Sequence, residues 1–127
     1  MSRAMAALGG ASRQSLIAAR KSLDELLKGL SAADASALSA QLFAVVTTLD
    51  SSTPLRRALT DNSRDANSKA ELAKELFGKS TSDLAIKLLI NLTALRWSSP
   101  SNLGDVIEQL AVEAEASVAN QNNELDR

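Results

Sequence analysis

Few side chains in this sequence could carry out chemistry. The 127 residues include no His, no Cys and no Tyr. Without imidazole or thiol groups, the chain cannot assemble a Ser-His-Asp triad, a thiolate nucleophile, a zinc site of Cys and His ligands, or the Glu-x-x-His pairs of a di-iron centre. The remaining Lys, Ser and carboxylate groups have no base to activate them. We therefore expect no catalytic, cofactor-binding or metal-binding residue in this chain, and a binding or structural role instead.

The carboxylates are also poorly spaced for paired acid–base work. Glu113 and Glu115 are two residues apart, so they lie on different faces of a helix. Glu71 and Glu75 share a helical face, but Lys69 and Lys74 lie close by in the sequence and indicate ion pairing at the surface. The sequence therefore predicts no paired-carboxylate site.

The charge balance limits the partners of the chain. There are 14 Lys and Arg against 15 Asp and Glu, and only 2% of the residues are aromatic. A strongly basic nucleic-acid or membrane-surface binder is excluded by this balance, and a stacking platform for bases is not expected. We expect no nucleic-acid partner, although a helical RNA-binding module of the antitermination type is the alternative function for a small helical bundle.

The composition predicts an all-α fold. The sequence has 22 Ala and 21 Leu, which favour helices, against 15 Val, Ile and Thr residues together. The length fits a single domain, and we expect a six-helix bundle over residues 12–120, after a flexible leader at 1–11 and before a polar tail at 121–127. The longest uncharged stretch, residues 35–49, is shorter than the ~20 apolar residues that a bilayer requires, so no direct membrane insertion is expected.

Start and stop signals divide the bundle into helices. The predicted helices cover residues 12–30, 32–50, 55–59, 69–77 and 81–97, and a sixth begins near residue 101. The predicted caps are Ser31, Thr53 before Pro54, Ser68 in a capping box with Glu71, and Ser80.

The fifth predicted helix is apolar over most of its circumference. Beyond its core face, Ile86, Ile90 and Trp97 form a second apolar strip beside Thr93. Two interpretations are open. The helix is surrounded by neighbours in the bundle, which periodicity alone favours, or the strip forms a groove for an amphipathic helix of a partner. Trp97 precedes a Ser-Ser-Pro turn at the end of the helix, a position more typical of the core.

Several short motifs appear in an order that resembles the δ subunit of F-type ATP synthases, which is homologous to the mitochondrial oligomycin-sensitivity-conferring protein. The matching segments are residues 11–16 (ASRQSL), 54–61 (PLRRALTD), 69–78 (KAELAKELFG), 95–103 (LRWSSPSNL) and 107–110 (IEQL). The Arg-Trp pair is typical of actinobacterial members. Asn102 stands where the family often has Asp, and either side chain can cap the sixth helix.

The resemblance implies a non-catalytic subunit in the peripheral stalk, or stator, of a proton-translocating F-type ATP synthase at the cytoplasmic face of the bacterial membrane. In that family, the first and fifth helices of a six-helix bundle hold the N-terminal helix of an α subunit at the top of the catalytic head, and so resist rotor torque. Carried onto this sequence, the groove is expected at Ile86, Ile90 and Thr93, with Ile17 and Ala18 as candidates on the first helix. The b subunits are expected to bind through a second domain, which would make this chain the N-terminal domain.

Overall fold

Six α-helices make up the part of the chain that the structure describes. The structure is a computed structural model that describes residues 8–125, with side chains for residues 8–120. Within these residues there is no β-strand, which confirms the all-α prediction. The helices are α1 (Gly10–Leu27), α2 (Ala32–Asp50), α3 (Thr53–Thr60), α4 (Ala66–Phe77), α5 (Asp83–Thr93) and α6 (Pro100–Leu125).

Helices α2 to α5 begin at side-chain caps, three of which differ from the predicted ones. Ser31 caps α2 as predicted, and its hydroxyl accepts a hydrogen bond from the Asp34 N–H at 3.1 Å. The caps of the next three helices are Ser52, Asp65 and Ser82, so the predictions of Thr53, Ser68 and Ser80 were wrong. Each sequence window offers several residues that can cap, and the packing of the helix selects among them.

The N-terminal end of α6 also differs from the prediction. Asn102 lies inside the helix, where it is buried and does not serve as the cap. Its side-chain nitrogen donates to Asp105, while its buried Oδ1 has no hydrogen-bond partner in the structure.

One apolar core joins all six helices. The two longest helices, α2 and α6, pack along each other and supply much of this core, and the Ser39 hydroxyl of α2 donates to the Ala111 carbonyl of α6 at 2.8 Å. By length and composition, α2 is the one helix within residues 8–125 that could cross a bilayer. Its Leu38, Leu42 and Leu49 side chains are instead buried in the core.

The predicted leader at 1–11 and the predicted tail at 121–127 are each described in part by the structure. Leu8 is 4% exposed and belongs to the core, and α1 begins at Gly10, inside the segment that was expected to be a flexible leader. At the other end, α6 continues to Leu125, inside the expected tail. Residues 1–7 and 126–127 lie outside the described residues.

The segment between α5 and α6 forms hydrogen bonds with α5 and with the loop that follows α3. Trp97 is 3% exposed, and its indole N–H donates to the Leu92 carbonyl at 2.9 Å, which confirms the core position expected for it. The Asn62 side chain donates to the Trp97 carbonyl at 3.1 Å. Helix α5 ends at Thr93, four residues earlier than predicted, because the chain turns to place Trp97 in the core.

Candidate functional site

A groove runs along the seam between α1 and α5. Near the C-terminal end of α1, about 410 Å³ of open space lies between Ser22, Glu25 and Leu26 of α1 and a matching set of residues of α5. The α5 residues are Lys87, Leu88, Ile90 and Asn91. At the other end of the seam, a shallower depression of about 320 Å³ lies between the start of α1 and the residues just after α5. We call the seam with these two depressions the α1–α5 groove.

The α1 wall of the groove combines the larger Gln14, Glu25 and Leu26 with a row of small side chains. Ala11, Ser15 and Ser22 recur at the spacing of one helical face, and Ala18 continues the same face at the intermediate position. At 100° per residue, these four residues fall within an arc of about 60°. Side chains of this size would let a second helix approach the wall closely.

The two α1 residues proposed from the sequence occupy different positions around the helix. Ala18 is exposed and lies within the groove-facing arc. Ile17 is the most exposed of the large apolar side chains in the described residues, at 64%. It lies about 130° around the helix from the centre of that arc. The geometry therefore favours Ala18 over Ile17 as a groove residue.

The α5 wall contains one of the three predicted α5 residues. Ile90 is half-buried and lines the groove. Ile86 is partly buried against the core. Thr93 is 1% exposed, and its hydroxyl donates to the Ile90 carbonyl, so its side chain is not available to a partner. Lys87 and Asn91 are exposed and also line the groove, although neither was among the residues predicted for it.

The rim of the groove carries charges of both signs. Glu25 of α1 faces Lys87 of α5 across the wider depression, and Arg96 lines the other one. Within residues 8–125, no group of three or more acidic side chains is placed to hold a metal ion. The arrangement of an apolar wall with a charged rim is suited to binding an amphipathic helix.

A larger depression on the other side of α1 is less suited to a helix. It measures about 590 Å³ and lies between α1 and α6, where Asp24, Lys28 and Asn120 line it. The Arg20 side chain crosses this seam to Glu113 with an N–O distance of 2.8 Å. Leu27 and Ala116 also line it, together with Glu113 of this ion pair, so a partner helix would have to accommodate the ion pair.

Serine residues join the two walls of the groove at the end where the shallower depression lies. We call this the narrow end, and the end with the wider depression the wide end. The Ser98 N–H donates to the Ser12 hydroxyl at 2.7 Å, and the Ser12 N–H donates to the Ser98 hydroxyl at 3.2 Å. The Ser15 hydroxyl donates to the Arg96 carbonyl. These contacts join the first turns of α1 to the segment that follows α5.

Comparison with known proteins gives a consistent set of relatives. The chain is 40% identical over 122 residues to the ATP synthase subunit delta of Streptomyces coelicolor, an alignment that covers 96% of this chain and 44% of that protein. It is 38% identical over 117 residues to the ATP synthase subunit delta of Kineococcus radiotolerans, covering 92% of this chain and 42% of that protein. The ATP synthase subunit delta of an Arthrobacter species is 39% identical over 112 residues, which cover 88% of this chain and 39% of that protein.

The similarity is extensive along this chain but partial along its relatives. The chain spans less than half the length of the curated relatives it matches. No family model matches it. The resemblance noted from the short motifs is nevertheless confirmed by these relatives.

Proposed function

We propose, from the premise that this chain is homologous to actinobacterial ATP synthase δ subunits over most of its length, that it acts as a non-catalytic clamp in the peripheral stalk. In this proposal the α1–α5 groove binds the N-terminal helix of an ATP synthase α subunit at the top of the catalytic head. The bound helix would hold the head against the torque of the rotor. The b subunits would bind to a further domain, and the assembly would lie at the cytoplasmic face of the bacterial membrane.

The observation that carries the proposal is the α1–α5 groove itself. Its two depressions lie along α1 between Ala11 and Leu26, a span of about 22 Å at 1.5 Å per residue. A partner helix of about 15 residues would fill it. Small residues on α1 allow close approach, and Ile90 on α5 offers an aliphatic anchor at the edge.

The charges at the rim indicate which way complementary side chains would pair. Lys87 and Glu25 lie on opposite walls of the wider depression. A partner helix with an acidic residue toward α5 and a basic residue toward α1 at this level would match both. Because these groups are exposed, they would set the orientation and the rate of association more than the affinity.

The first test is a calorimetric titration of the chain with a synthetic peptide of the first twenty or so residues of the α subunit from the same organism. We expect saturable binding of one peptide per chain. Ile90→Asp places a charge on the groove wall and removes an aliphatic contact worth about 1.5–3 kcal/mol, so its affinity should fall at least tenfold. Its helical circular dichroism and Tm should stay close to those of the unmodified chain.

Ile17→Asp is the matched control, because it makes the same substitution on an exposed isoleucine outside the groove-facing arc. We expect its affinity for the peptide to be unchanged. Absence of binding to the unmodified chain would refute the clamp. Loss of binding in Ile17→Asp but not in Ile90→Asp would move the site to the outer face of α1. A large drop in Tm for Ile90→Asp would assign that residue to the core.

A further inference from the structure

We infer that Ser12 and Ser15 are positioning residues that fix the separation of the two walls of the α1–α5 groove at its narrow end. This inference rests in part on the proposed function, because a partner helix would use the groove that these serines set. Ser12 lies behind the groove wall, whereas Ser15 also lines the shallower depression, so Ser12→Ala is the variant that reports on positioning alone. Ser12 is fully buried and Ser15 is 5% exposed.

The first turn of α1 is capped by Ser98, a residue distant in sequence. The N-cap of α1 is Gly9, which has no side chain to accept a hydrogen bond from the first turn. Ser12 is the third residue of that helix, and its N–H is one that a capping side chain would ordinarily bind. The Ser98 hydroxyl takes this N–H instead. The cap of α1 is therefore supplied by the segment after α5.

Gly9 is part of the same arrangement, because it leaves room for Ser98. A Cβ atom at position 9 would lie 2.6 Å from the Ser98 Oγ and 2.7 Å from its Cβ. In return, Ser12 accepts the Ser98 N–H, and Ser15 donates to the Arg96 carbonyl. Three hydrogen bonds thus connect the first two turns of α1 to residues 96–98. We call this set of contacts the serine latch.

At the end of the groove where the wider depression lies, apolar packing rather than hydrogen bonding holds the helices: Leu23 of α1 and Leu88 of α5 are fully buried, and Leu26 packs against the core. Among the described residues, the hydrogen bonds that join α1 to α5 or to the joint that follows it all involve Ser12 or Ser15. Ser22 and Asn91 face each other across open space at the wide end. In this inference the latch sets the groove width at one end, while at the other end apolar packing alone sets it.

The latch can be tested without any partner. Because the chain contains no Cys, Lys21→Cys and Lys87→Cys would carry a pair of spin labels at exposed positions beside the wide end. We expect a single narrow distance distribution in the otherwise unmodified chain. In Ser12→Ala, and more so in Ser12→Ala/Ser15→Ala, the distribution should broaden, because the Ser98 N–H loses its acceptor and α1 is free to pivot.

Ser39→Ala is the matched control. Ser39 is also buried, and its hydroxyl also donates to a backbone carbonyl, but it joins α2 to α6 away from the groove. It should leave the distance distribution narrow even where it lowers Tm as much as Ser12→Ala does. A distribution in the double variant as narrow as in the control would overturn the latch.

The peptide titration connects the latch to the clamp. If unlatched chains hold the groove at the correct width about a tenth of the time, the affinity for the α-subunit peptide falls about tenfold. Ser39→Ala should keep the affinity of the unmodified chain. Unchanged affinity in Ser12→Ala/Ser15→Ala would overturn the positioning role.

If the peptide fails to bind the unmodified chain, the proposed function fails, while the spin-label distances still decide the latch. If the double variant does not fold, Ser12→Ala alone gives both measurements.

Discussion

Asp65 caps α4 and provides a test of stability at a single residue. Its carboxylate accepts a hydrogen bond from the Ser68 N–H at 2.7 Å, and this bond holds the pKa of Asp65 below its ordinary value. Asp65→Ala removes the cap, so its Tm at pH 7 should be about 3–6 °C lower. Thermal melts followed by circular dichroism would measure the difference.

The lowered pKa of Asp65 gives the cap a defined pH dependence. A carboxyl whose pKa is lower in the folded state stabilises the fold above its unfolded pKa, near pH 4, and loses that effect as the pH falls further. The Tm difference between Asp65→Ala and the unmodified chain should therefore shrink at pH 2.5. Asp65→Asn keeps a capping oxygen without a charge, and its Tm should lie between the other two at pH 7. A difference that grows in acid would contradict this account.

The burial of Lys69 could not be predicted from its residue type. Its spacing from Glu71 and Glu75 indicated ion pairing at the surface, but the structure buries it to 3% exposure. Burial lowers the pKa of Lys69, and the nearby Asp61 carboxylate opposes this shift. The long aliphatic part of a lysine can pack in the core, so its residue type does not identify which face of α4 is covered.

Gly9 and Gly10 form a natural pair for testing how α1 is attached. Gly9→Ala would force a Cβ into Ser98, so its free energy of unfolding should fall by about 1–3 kcal/mol. Position 10 is the first residue of α1, and a Cβ there would meet no atom within 4 Å, so Gly10→Ala should be neutral or stabilising by up to about 1 kcal/mol. Urea unfolding of both variants makes the comparison, and equal effects would show that Ser98 does not constrain Gly9.

The helices were more predictable than their faces. Start and stop signals, together with apolar periodicity in the longer helices, identified all six, and each contributes side chains to one core. On α5, the helical pattern predicted a second apolar strip of Ile86, Ile90 and Trp97 beside Thr93, but Trp97 is buried and Ile86 packs against the core, so that only Ile90 lines the groove. The sequence of α5 alone could not show which of these residues would lie beside α1, because that depends on how the other helices pack around α5. Thr93 is consequently buried while Ile90 lines the groove.

The α1 wall was hard to predict for a different physical reason. Small residues such as Ala18 and Ser22 carry almost no hydrophobic signal, and Ala18 became a candidate, together with Ile17, only through the family resemblance. A stripe of Ala and Ser at helical spacing, from Ala11 to Ser22, is the signal that could have located this wall. Such a stripe becomes informative only when the helix beside it is known.

At the scale of the whole molecule, one core joins all the helices, and this predicts cooperative unfolding. The buried apolar cluster includes Leu23 of α1, Leu59 of α3, Phe77 of α4 and Trp97 beside α5, together with the α2–α6 pair. Helical circular dichroism and Trp97 fluorescence should therefore report the same urea midpoint. Trp97 is suited to this measurement because it is the only tryptophan and it is buried.

Leu42→Ala extends the test of cooperativity to a mutation far from the tryptophan in sequence. Leu42 is fully buried on α2, so its truncation should lower the free energy of unfolding by about 2–5 kcal/mol. In a single cooperative unit, both probes must shift to the same lower midpoint. If fluorescence shifted less than circular dichroism, the region around Trp97 would unfold separately from the α2–α6 pair. A groove built between α1 and α5 would then rest on a part of the bundle that can open independently of the rest of the core.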